Sequence, residues 1–128
     1  MRRYAQAVHG QVHFDETPGR DGGTPLLCLH PLPYSGRYFD TIAPLLAAGG
    51  RRLLRPDYPG YGLSDPLEDE LDIESWAAAL WQALDDLAVP GPLDLLGFHT
   101  GCLVGPELAR QAPERVRSLA LVDVPWFP

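Results

Sequence analysis

Leu93-Asp94-Leu95-Leu96-Gly97-Phe98-His99-Thr100-Gly101 is the stretch on which the reading of this 128-residue chain turns. An apolar run suited to a buried strand closes at Gly97, and the frame that follows is Gly-x-His-x-Gly. That spacing predicts a sharp strand-to-helix turn, in which flanking glycines are needed because side chains there would collide. Such a turn pushes the central side chain, His99, into solvent. The backbone N–H of the next residue, Thr100, then points toward whatever the imidazole meets, which is half of an oxyanion hole.

Working outward, strands and helices alternate. On the C-terminal side Leu103, Leu108 and Ala112 give a helix face. Gly105-Pro106 within it predicts a kink or a late start, because proline removes a backbone hydrogen bond. Ser118 to Val124 predicts a further buried strand, which Pro125-Trp126-Phe127-Pro128 leaves abruptly. On the N-terminal side Trp76, Leu80, Leu84 and Leu87 make one apolar stripe of a helix capped by Asp72 and stopped by Pro90-Gly91-Pro92. Arg52-Leu53-Leu54-Arg55 reads as a strand, and Pro56 to Asp65 as a turn-rich loop.

Further upstream, Pro25-Leu26-Leu27-Cys28-Leu29-His30 is a short continuous apolar run of the kind buried on both faces of a parallel sheet. Phe39, Ile42, Leu45 and Leu46 predict a short helix bent near Pro44 and ended by Gly49-Gly50. Tyr4 to Phe14 predicts an antiparallel edge hairpin joined at Gly10, and Thr17 to Thr24 a loop. Together these lengths imply an α/β fold, a mostly parallel, doubly wound sheet of about six strands with an N-terminal antiparallel hairpin, in a single domain over residues 1–128.

Ten basic residues against 17 acidic ones give a net charge of -7, which argues against nucleic acid and anionic membrane as partners. No run approaches the ~20 apolar residues of a membrane span. Cys28 and Cys102 lie in apolar contexts and read as two buried thiols in a reducing compartment, so a cytoplasmic location is expected. No metal-ligand cluster or phosphate-cradling loop is visible, and neither metal nor cofactor is expected. The expected partner is a small neutral or apolar molecule.

Three motifs together resemble those of the α/β-hydrolase fold superfamily. The resemblance spans essentially the whole chain, but only the N-terminal half of a full family member. Gly97-Phe98-His99-Thr100-Gly101 is similar to the family's nucleophile elbow, where the central residue is usually Ser, and Asp or Cys in some branches; here it is His99. His30-Pro31-Leu32-Pro33 stands where the family often has His-Gly-x-Pro. Pro56-Asp57-Tyr58-Pro59-Gly60-Tyr61-Gly62-Leu63-Ser64-Asp65 is similar to its Pro-Asp-x-x-Gly-x-Gly-x-Ser loop, the most specific match of the three. In that loop Gly60 and Gly62 allow tight backbone angles while Asp57 and Ser64 tie off amides.

The resemblance implies an oxyanion hole built from the backbone N–H groups of Leu32 and Thr100, elbow glycines at Gly97 and Gly101, and His99 at the catalytic position. The family's lid, last strands, triad acid and catalytic His have no match. The only histidines are His9, His13, His30 and His99, and none lies where the family places its base. Asp123 ends the last strand near where some branches place their acid, and it reads as a strand-end aspartate.

Imidazole is nucleophilic and titrates near neutral pH, so His99 is open to general acid/base work or covalent attack; the opposing reading is that the chemistry has been lost. The expectation is a hydrolase-superfamily protein for a small ester-like or apolar carbonyl substrate, inactive as these 128 residues alone. The alternative is a noncatalytic small-ligand or partner-binding module, a pseudoenzyme or truncated product. Leu119 to Val122 would form an unpaired edge, so the chain is expected to be a fragment of a longer protein or to self-associate there.

Overall fold

In the structure, a computed structural model, residues 1–20 and 22–126 are described. The predicted exit through Phe127 and Pro128 lies outside the described residues. Strands β1 (Arg2–Ala7) and β2 (Gly10–Thr17) form the antiparallel hairpin, turned where Gly10 takes a φ of +112°. β3 (Leu26–Leu29), β4 (Leu53–Pro56), β5 (Leu93–Phe98) and β6 (Val116–Val122) complete a six-stranded sheet in the order β1-β2-β4-β3-β5-β6. β2 meets β4 antiparallel, and the remaining pairs are parallel. The central position of β3 accounts for its four consecutive buried residues, since both faces and both edges are covered.

Helices cover both faces. On one, α2 (Ile73–Asp86) and α3 (Gly101–Gln111) pack Trp76, Leu80, Leu84 and Leu108 against Leu27, Leu54 and Leu95. On the other, a 3-10 turn (Gly36–Phe39) and α1 (Ala43–Leu46) set Phe39 and Ala43 on Leu26, Cys28 and Leu53. Alternation along β5 serves both layers: Leu93 and Leu95 face the first core, Leu96 and Phe98 the second. The α2 stripe is as the spacing predicts, and the Asp72 carboxylate caps it by accepting the Ser75 N–H at 2.7 Å. No helix is long and apolar enough to cross a membrane among the described residues.

Three elements depart from expectation. The single bent helix over 39–46 is instead a 3-10 turn and a separate four-residue helix that opens with Pro44 in its first turn. α3 starts at Gly101, directly after the turn, and runs through Pro106 with no late start. Tertiary packing outweighs proline's local cost here, because Gly105 lets the helix lie so close to β6 that a Cβ would meet Leu119 Cδ1 at 2.8 Å. The last strand is Val116–Val122 rather than 118–124, and it is largely exposed rather than buried. Among the described residues β6 pairs only with β5, at the sheet margin, and the chain turns away at Asp123, whose φ is +60°.

Candidate active site

The ladder between β5 and β6 continues one residue beyond Phe98, where the His99 N–H donates to the Val122 carbonyl at 3.0 Å. There the backbone reverses. His99 sits at φ +50°, and the Cys102 N–H returns to the His99 carbonyl at 2.8 Å to open α3. A positive φ on a residue with a side chain costs about 1 kcal/mol or more. Both glycines of the frame are demanded by close approach: a Cβ on Gly97 would run into the Gly101 carbonyl, and one on Gly101 into the Leu29 carbonyl. The imidazole projects, exposed, from the crest of the turn.

Leu32 lies in the loop after β3. Its N–H donates to Thr100 Oγ1 at 3.3 Å, so a donor from residue 32 faces the elbow across 68 positions of sequence. The same oxygen is 3.5 Å from His99 Nδ1. Sequence reasoning used only the backbone N–H of Thr100; the structure adds its hydroxyl, as the acceptor between Leu32 and His99.

Buried polar groups hold the Leu32 loop in place. The Tyr58 N–H donates to His30 Nε2 at 3.2 Å, which puts the ring proton on Nδ1, and Nδ1 donates to the Pro31 carbonyl at 2.8 Å. Tyr58 Oη donates to the His30 carbonyl at 2.7 Å. Complete burial of His30 disfavours its charged form and pulls its pKa down to about 4. Asp57 Oδ1 accepts the Gly36 N–H at 2.6 Å, while Oδ2 accepts the Leu63 N–H at 2.8 Å and meets His13 Nδ1 at 3.0 Å. Ser64 Oγ donates to the Asp57 carbonyl at 2.7 Å. Loop 56–65 therefore does the tying-off that its residues predict.

Around His99 opens a cleft of about 280 Å³, lined by Pro31, Leu32, Tyr34, Tyr38, Phe98, His99 and Asp123. In its wall Phe98 meets Tyr38 edge-on at a ring separation of 5.6 Å, and behind the wall it meets the buried Phe39 in the same way at 5.5 Å. Tyr34, Tyr38, Phe98 and Asp123 were not assigned to a site from the sequence. For Phe98 the signal was its place inside the Gly-x-His-x-Gly frame, and for Asp123 its place at a strand end.

The remaining candidates lie elsewhere. His13 and His30 are buried, and His9 is exposed in the β1–β2 turn. Cys102 is buried and donates its thiol to the Val122 carbonyl at 3.2 Å; burial pushes its pKa up, opposite to a reactive thiolate. Cys28, also free and buried, is pushed up to about 12. No grouping of three or more metal-ligating side chains occurs among the described residues.

A family model described as the alpha/beta hydrolase fold matches residues 24–128. A haloalkane dehalogenase from Psychrobacter cryohalolentis is 30% identical over 112 residues, covering 86% of this chain and 36% of the dehalogenase. A pimeloyl-[acyl-carrier protein] methyl ester esterase from Methylococcus capsulatus is 35% identical over 109 residues, covering 85% of this chain and 39% of the esterase. Among solved structures, wild-type Cfl2 from Burkholderia cenocepacia superposes with a TM-score of 0.86 at 30% identity, over 96% of this chain and 41% of that one. The chain thus spans less than half the length of these relatives.

Proposed function

Since this chain belongs to the α/β-hydrolase fold family, we propose that its site serves hydrolysis of a small ester-like or apolar carbonyl substrate, with His99 as base or nucleophile. The backbone N–H groups of Leu32 and Thr100 receive the developing negative charge on the carbonyl oxygen. One observation carries the reading: Thr100 Oγ1, an oxygen, already lies 3.3 Å from the Leu32 N–H and 3.5 Å from the imidazole. A substrate oxygen that replaces it brings its carbonyl carbon beside His99. Esterase and dehalogenase names among the relatives support a hydrolase reading in general and no particular substrate.

Within these residues no second imidazole lines the cleft to regenerate His99, so a single acyl transfer without turnover is expected, which leaves these 128 residues alone inactive as a catalyst. The test uses p-nitrophenyl acetate. Imidazole nitrogen bonds to the acetyl carbon, the C–O bond to p-nitrophenolate breaks, and water later cleaves the acetyl-imidazole. Initial nitrophenolate release should exceed buffer background and fall by about a hundredfold in His99→Ala; an unchanged rate in that variant overturns the assignment. The second reading, a noncatalytic small-ligand module, is favoured by the hydrogen bond that already occupies the Leu32 donor. It predicts saturable binding of phenyl acetate with no release above background. A cytoplasmic setting is inferred from Cys28 and Cys102, both buried and unpaired.

A further inference from the structure

We propose that a cleft among Arg20, Arg51 and Arg117 binds a small phosphate-bearing molecule, at the end of the sheet opposite His99. β3, β4, β5 and β6 run parallel, so the residues at their beginnings gather along one margin, while the elbow lies at the other end of β5. Arg20 comes from the loop ahead of β3, Arg51 from the approach to β4 and Arg117 from the start of β6. Together they line a cleft of about 480 Å³. In a chain of net charge -7, three of the ten basic residues meet at this one place, and no described carboxylate shares the lining. The site draws on three separate segments, so no contiguous motif in the sequence announces it.

Asp94, buried on β5, holds two of the three guanidiniums in place. Arg117 donates to it through Nε at 2.9 Å and Nη2 at 2.6 Å, and Arg51 donates through Nη2. Ser118 Oγ takes a further position on the same carboxylate at 2.6 Å, so the remaining N–H groups of both arginines are left over. Asp94 does not satisfy Arg51, whose Nε is buried without an acceptor among the described residues. Arg20 enters no ion pair among those residues. Its N–H donates to the Gly50 carbonyl at 2.8 Å and its side chain lies against Gly50, so it is placed without a counter-ion. Asp21 lies outside the described residues; counted with Asp94, it still leaves three guanidiniums against two carboxylates. At Gly22 and Gly49, also in the lining, a Cβ would meet nothing within 4 Å, so bare backbone faces open space. Guanidiniums arriving from three segments suit phosphate, whose oxygens accept from several directions, better than a planar carboxylate. The volume leaves room for an organic group beside the phosphate.

Titration calorimetry on the chain as it is, at an ionic strength of about 0.15 M, tests this with pyrophosphate, phenyl phosphate and citrate as probes. Both phosphates should bind saturably, one per chain, and citrate about tenfold more weakly or not at all. Arg20→Gln removes one guanidinium without unpairing Asp94, and it should weaken phosphate binding about tenfold, the worth of one charge-assisted hydrogen bond. Arg110→Gln makes the same change of net charge on the exposed surface of α3, where Arg110 pairs with Glu107, and it should leave binding unchanged. If Arg20→Gln lowers the urea midpoint, Gly23→Glu is read instead: its Cβ has ordinary room, 3.5 Å from the Arg20 carbonyl, and the added carboxylate should abolish binding. Absence of saturable phosphate binding overturns the proposal. So do equal losses in Arg20→Gln and Arg110→Gln, unchanged binding in a folded Arg20→Gln or Gly23→Glu, and citrate binding as tight as phenyl phosphate. None of these results bears on the His99 site, which the nitrophenolate assay tests separately.

Discussion

At position 30 an imidazole is enclosed completely, with one nitrogen donating to Pro31 and the other accepting from Tyr58. Its pKa is lowered to about 4 from an ordinary 6.5 by burial, so the unfolded chain binds the extra proton first. The contribution of His30 is therefore fully present above pH 6.5 and is lost as pH falls through about 4, on the order of 3 kcal/mol in all. Urea unfolding across that window should show the loss, and His30→Asn, which has nothing to titrate, should flatten it. Asp94 titrates lower: hydrogen bonds from Arg117 and Ser118 hold it near 2, so its stabilisation is present above its ordinary 3.8 and is lost only as pH falls toward 2. Single residues were unevenly legible. The strain at His99 was readable because the flanking glycines mark it, whereas Asp123 bends the same way with no glycine to signal it.

Among the elements, loop 56–65 ties the most together for its length. Asp57 gathers amides from Gly36 and Leu63 and the ring of His13, linking β2, the 3-10 turn and the loop itself. Asp57→Ala would strand two backbone donors and a buried imidazole, at about 1–3 kcal/mol for each unpaired group. Denaturant midpoints should reveal a loss of that order, and Asp57→Asn should recover part of it through its carbonyl oxygen; a neutral Asp57→Ala would contradict this account. This loop and α2 were legible because their signals are local, a fixed turn pattern and a repeating apolar stripe. The start of α3 was not, because the contact between Gly105 and Leu119 joins segments separated in sequence; β6 was expected as an edge and is one, but its bounds and burial were misread because apolar content alone does not show how much of a strand its neighbours cover.

On the scale of the whole molecule, the parallel core and doubly wound layering follow from strand and helix alternation, and the sequence reading anticipated them. What it left open was the cleft, whose walls come from residues 31–38, 98–99 and 123 and so depend on three chain segments meeting. β6 presents Leu121 and Val122 at the sheet margin, 37% and 42% exposed. A strand in that position is expected to acquire a partner, so sedimentation should show mass rising with concentration, and Leu121→Lys should suppress the rise; a monodisperse monomer throughout would rule this out. The hydrogen bond from Leu32 to Thr100 carries a further consequence, because its halves belong to opposite sides of the β3–β5 pairing. No partly assembled intermediate that lacks that central register can offer a complete pocket. Ligand capture during refolding should therefore lag behind helix formation, and the delay would time the docking of the two middle strands.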